Sequence, residues 1–167
     1  MGTYINKGNL AFEEILNSRY VDKSSFIAVV NASLKTENRF ICTTRCRRFG
    51  KSIMAKMLCA YYDKSCDSRE LFKGLAIEKD PSFEGHLNKY NVLYLDVTAF
   101  TSKPKFYGHI TRSINETMTK EVKKNFPCVE FEDNADLMEC LQAIFNQTGE
   151  RFYFIIDEWD AICREFP

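Results

Sequence analysis

The chain has 167 residues, of which 45% are hydrophobic, and 23 Lys plus Arg balance 23 Asp plus Glu for a formal net charge of zero. That length and apolar content exclude intrinsic disorder and suffice for a buried core. The neutral balance argues against an overall electrostatic footprint for nucleic acid or anionic membrane, and apolar runs such as residues 26–30 and 152–156 are far too short to span a bilayer.

In chain order, Phe12, Ile15 and Leu16 predict a helix over residues 9–17. A second helix begins near Ser24, where Asp22, Ser24 and Ser25 are capable N-caps, and carries Phe26, Ile27, Val30 and Leu34 on one face. Residues 39–44 read as a short strand around Phe40, Ile41 and Cys42, and 52–62 as a helix with Ile53, Met57, Leu58 and Tyr61 on one side. Residues 63–90 are mixed. Residues 92–97 (V-L-Y-L-D-V) read as a strand, and a polar helix over about 106–124 shows an apolar stripe of Ile110, Ile114, Met118 and Val122 before Pro127. Leu137, Cys140, Leu141, Ile144 and Phe145 predict a further amphipathic helix, with Gly149 as its C-cap. Residues 152–156 predict a last strand, nearly all apolar and so expected to be buried on both faces. Strands alternating with helices imply an α/β fold with a mostly parallel sheet between helix layers, which binds ligands at the carboxyl ends of its strands.

Seven cysteines without a C-x-x-C spacing, and two distant histidines, His86 and His109, offer no zinc pattern. Reduced thiols in a cytoplasmic protein are the expectation, with Cys42, Cys59 and Cys140 among apolar residues as small core hydrophobes. No apolar stretch of signal-peptide type opens the chain.

Chemistry concentrates after the first and last strands. The run Arg45-Cys46-Arg47-Arg48-Phe49-Gly50-Lys51-Ser52 ends in the G-K-S of a P-loop. There Gly50 lets backbone approach phosphates, Lys51 reaches the β- and γ-phosphates, and Ser52 opens a helix and offers its hydroxyl to Mg²⁺. Arg45 stands where the general pattern has glycine. A ligand-free cationic helix start is the alternative, but several cations at the positive end of a helix dipole are easier to explain if an anion lies among them. The last strand ends in Asp157-Glu158, the Walker B pattern. Asp157 would hold Mg²⁺ through water and Glu158 would orient or deprotonate the water that attacks the γ-phosphate. An ordinary acidic turn after a strand explains the same letters.

The chain resembles the bacterial AAA-ATPase-like proteins. The resemblance rests on Tyr20-Val21-Asp22-Lys23-Ser24, the arginine-rich loop ending in Ser52, residues 68–75, Tyr94-Leu95-Asp96, and residues 155–160, and it runs over essentially the whole chain. It implies a P-loop NTPase of the ASCE, AAA-like type, with a three-layer αβα core, that binds Mg-ATP. Arg47, Arg48, Phe49, Gly50, Lys51 and Ser52 are then cofactor-binding, Ser52 and Asp157 metal-binding, and Glu158 with Lys51 catalytic. The family's loop has proline where this chain has Cys46. Longer members carry a nuclease-like domain, so a nucleotide-binding switch or scaffold controlling an effector domain is the alternative to an ATPase. A homo-oligomer or an effector domain is an open partner, and nucleic acid is not expected to bind this chain alone.

Arg47 and Arg48 could touch phosphates, act on a neighbouring subunit as an arginine finger, or form a solvated basic loop. Tyr20 to Ser24 could contact a base or merely cap a helix. Asp96 reads as outer support for Mg²⁺ or as a strand terminator, Trp159 as core packing more than a nucleotide contact, and residues 120–124 as an exposed charged face. One domain is predicted over 1–167, with a helical lead-in over about 1–38 and the core from about 39. Ten residues follow Asp157, so the strand after Walker B and the fifth strand of the implied sheet are expected to be missing.

Overall fold

A computed structural model describes residues 2–44, 48–102 and 109–165. The chain divides into two compact units, Gly8–Tyr90 and Met1–Lys7 with Asn91–Pro167.

The Gly8–Tyr90 unit holds α1 (Leu10–Leu16), α2 (Ser25–Ser33), α3 (Lys51–Tyr62), 3₁₀ turns at Arg69–Phe72 and Ala76–Lys79, and the short α4 (Phe83–His86). Its core is aromatic. Phe72 stacks on Phe12 with ring centroids 5.2 Å apart and meets Tyr61 edge-on at 5.4 Å, and Tyr61 contacts Tyr62 at 4.9 Å and Phe83 at 5.8 Å. Such contacts stabilise beyond area burial alone. Two tyrosine hydroxyls brought into this core need partners, and Asn31 on α2 supplies them. Its Oδ1 accepts from Tyr62 (2.6 Å), while its Nδ2 donates to Tyr61 (3.1 Å) and to Ser82 (2.8 Å). Tyr61 in turn donates to the Phe83 carbonyl at 2.7 Å. Burial, only partly offset by the Asn31 hydrogen bond, pushes the Tyr61 phenol up to about 12. The fully buried Asp63 accepts from the Gly8 and Ser65 amides.

The second unit is built on β1 (Asn91–Asp96) and β2 (Phe152–Asp157), which pair in parallel from Asn91↔Phe152 to Asp96↔Asp157. A parallel pair needs a long crossover, and here it contains α5 (Thr98–Thr101), α6 (Ile110–Asn125) and α7 (Leu137–Thr148); α8 (Ala161–Glu165) follows β2. The free edge of β1 takes an antiparallel bridge from Ile5 to Leu93, and Glu121 on α6 holds that segment by accepting from the Tyr4 and Ile5 amides at 2.6 and 2.9 Å. A Cβ on Gly2 would fall 2.3 Å from Glu121 Oε1 and 2.5 Å from the Ile5 carbonyl, so this return fits only glycine. Met118 and Val122 of α6 and Cys140, Leu141 and Ile144 of α7 cover Leu93, Leu95 and Phe152. Asp136 and Glu139 form a reciprocal capping box at the start of α7, and the predicted C-cap Gly149 closes its end in the left-handed region (φ 72°).

The architecture is thus α/β, with a parallel sheet of two strands among the described residues. Several expectations are corrected. Residues 39–44 form no strand. They lie in coil, with Phe40 84% exposed and Cys42 exposed rather than in a core. A strand is completed by its neighbour's hydrogen bonds, and this segment has no ladder partner among the described residues. β2 is not buried on both faces: Ile155 and Asp157 are buried, while Phe154 and Ile156 are 49% and 54% exposed. Trp159 is 57% exposed, not core. Cys59 and Cys140 are buried as expected. Ser24 sits at the N-cap of α2 but makes no cap bond. Its hydroxyl accepts from Ile77 N, and Asp22 accepts from Ser24 N instead. No helix among the described residues is long and apolar enough to cross a membrane.

Candidate functional site

Gly50 lies at the N-cap of α3 with φ 79°, a left-handed conformation open to glycine at no steric cost, and Lys51 and Ser52 are the first two residues of the helix. Arg48, two residues earlier, is also left-handed (φ 66°). The chain therefore turns sharply twice before α3, whose start carries the positive end of the helix dipole. Phe49 is exposed. Lys23 donates from Nζ to the Phe49 carbonyl at 2.5 Å, and a Cβ on Gly50 would lie 3.0 Å from that ammonium. Arg47 lies outside the described residues.

The other motif closes β2. The carboxylate of Asp157 is buried and held at both oxygens, with Glu158 N donating to Oδ1 (3.0 Å) and the Tyr94 hydroxyl to Oδ2 (3.3 Å). Register explains the second bond. Tyr94 and Asp157 lie on the same face of adjacent strands, two positions apart along the ladder. Glu158 takes a left-handed backbone (φ 52°), uncommon for a residue with a Cβ. Arg164 of α8 donates to Glu158 Oε2 at 2.7 Å and lies 3.6 Å from Asp160.

Gly50, Lys51 and Ser52 therefore come together at one helix start, and Asp157 and Glu158 at one strand end, in different units. Asp96 accepts from the amide and hydroxyl of Thr98, which makes it a strand terminator. His86 pairs with the Tyr90 hydroxyl at 2.6 Å, and burial, reinforced by Lys35, lowers its pKa. Three participants escape the sequence reading: Lys23 on Phe49, Tyr94 on Asp157 and Arg164 on Glu158. The Asp160–Arg164 spacing of four hints at the last, but the other two contacts span 26 and 63 residues.

The residues present fit a phosphate at the start of α3, because a left-handed glycine leads straight into a helix N-terminus, with Lys51 and Ser52 as its first residues. No group of three or more His, Cys, Asp or Glu that could hold a metal ion occurs among the described residues.

A family model described as "Predicted AAA-ATPase" matches residues 8–166. No curated protein and no solved structure matches the chain.

Proposed function

Because the chain belongs to the AAA-ATPase-like family, we propose that it is a P-loop domain that binds Mg-ATP and descends from an ATPase. The carrying observation is the left-handed Gly50 that opens α3 directly into Lys51 and Ser52. In this reading the amides of the turn and of the first turn of α3 cradle the phosphates, and Lys51 neutralises β- and γ-phosphate charge. Ser52 and Asp157 would hold Mg²⁺, which supplies further positive charge to the phosphate oxygens. Glu158 would orient the attacking water and take its proton, giving ADP and phosphate.

One contact favours a second reading, a nucleotide-dependent switch without turnover. Arg164 already occupies an oxygen of Glu158, the carboxylate that would act on water.

Calorimetry with ATP and Mg²⁺ tests binding. Wild type binds and Lys51→Ala loses at least about a hundredfold in affinity, a differential of some 2.7 kcal/mol. Normal binding by Lys51→Ala removes the assignment. Phosphate release then separates the two readings. An ATPase turns over in a Glu158-dependent manner, with Glu158→Gln binding but inert, while a switch releases no phosphate in either form.

A further inference from the structure

The block Tyr20-Val21-Asp22-Lys23-Ser24 is fixed along its length. The Tyr20 hydroxyl contacts Met57 Sδ on α3 at 3.4 Å and accepts from Lys23 N at 3.3 Å. Asp22 accepts from Ser24 N (2.7 Å) and Ala76 N (2.8 Å), and Ser24 Oγ accepts from Ile77 N (3.1 Å). Desolvation raises the Asp22 pKa, but hydrogen bonds from the Ser24 and Ala76 amides and the Ser24 side chain together hold the carboxyl below its ordinary value. The backbone on both sides of Lys23 is therefore anchored, unlike that of a solvated surface lysine.

From that anchored backbone the ammonium reaches the Phe49 carbonyl at 2.5 Å. The peptide joining Phe49 to Gly50 is trans, so its N–H points opposite to its C=O. Fixing the carbonyl toward Lys23 aims the Gly50 amide the other way, so an anion held by that amide would lie on the side away from the ammonium. The missing Cβ at Gly50 leaves room for the ammonium, since any Cβ would stand 3.0 Å from it.

We propose that Lys23 is a positioning residue of the phosphate loop, holding the Phe49–Gly50 peptide in its phosphate-binding orientation before nucleotide arrives. The inference rests on the nucleotide-binding reading above. Lys23 acts on the loop and not on the phosphate. Its loss makes the loop pay an ordering cost on binding, the cost that preorganisation removes. A peptide amide that cradles the inner phosphates serves ATP and ADP alike, whereas a cation touching the terminal phosphate would favour ATP.

The test is calorimetry of the full chain with ATP and with ADP, for wild type, Lys51→Ala, Lys23→Met and Lys23→Arg, with thermal melting of each. Wild-type binding that Lys51→Ala abolishes establishes the site. Lys23→Met should then weaken ATP and ADP by the same factor, about tenfold, at an unchanged melting temperature. Lys23→Arg, which restores a cationic donor to the carbonyl, should recover most of that loss. Lys23→Met binding within about twofold of wild type overturns the proposal and leaves the nucleotide site standing. So does a loss confined to ATP, the mark of direct phosphate contact. Absence of binding by wild type defeats the nucleotide reading, and this proposal with it.

Discussion

Around Phe72, rings from α1, α3 and α4 meet on all sides and the tyrosine hydroxyls find buried partners on Asn31 and Phe83. Along β2 the packing is one-sided. Ile155 is buried, but Phe154 and Ile156, on the alternate face, stand about half in solvent. The difference follows from how each region closes. Aromatic side chains on short helices complete a core with few partners. A strand buries both faces and both edges only when further layers and strands are supplied, and β2 has one strand neighbour among the described residues. The two chemical motifs inherit this contrast. Gly50, Lys51 and Ser52 open α3 after a turn whose Phe49 carbonyl Lys23 holds, whereas Asp157 is locked by backbone register and two hydrogen bonds.

Four substitutions test the contrast, the first two as a pair and the rest in descending order of effect. Phe72→Ala should destabilise the Gly8–Tyr90 unit by about 3–5 kcal/mol in urea unfolding, while Phe154→Ala should cost less than about 1 kcal/mol. Equal losses would mean that β2 is covered in solution. Tyr61→Phe strands the Phe83 carbonyl and one Asn31 donor, for about 1–3 kcal/mol. It also carries a pH signature. The folded phenol titrates at about 12 against an ordinary 10.0. Its stabilisation is complete below pH 10 and falls away as pH rises from 10 toward 12, because the unfolded state loses the proton first. Alkaline unfolding curves of wild type should slope down through that window, and those of Tyr61→Phe should slope less. Gly50→Ala forces a Cβ into the left-handed region and against Lys23, for about 1–2 kcal/mol, and should weaken nucleotide binding, read by calorimetry. Unchanged affinity there would show that the turn before α3 plays no part in binding.

Much of the site's outline is legible in the letters. G-K-S at the start of a helical period places α3 within a residue, and the apolar run before Asp157 places β2, because helix phase and strand length are local properties. The stripes of α6 and α7 and the left-handed end of α7 at Gly149 are legible for the same reason. Residues 39–44 are misread because apolar composition alone cannot form a strand without a neighbour to receive its hydrogen bonds. Cys42 and Trp159 are misread with it, since an apolar residue is buried only if something packs over it.

Local periodicity, turn chemistry and motif order were thus written in the chain: the five longer helices, the two strands that pair, the glycine that starts α3 and the acidic pair that ends β2. Which groups act on those motifs was decided by folding. Lys23 meets the Phe49 carbonyl, Tyr94 the Asp157 carboxylate and Arg164 the Glu158 carboxylate through contacts that backbone routing and strand register create. Hydrogen bonds of this kind depend on positions in space to within a few tenths of an ångström, and no spacing along the chain encodes that.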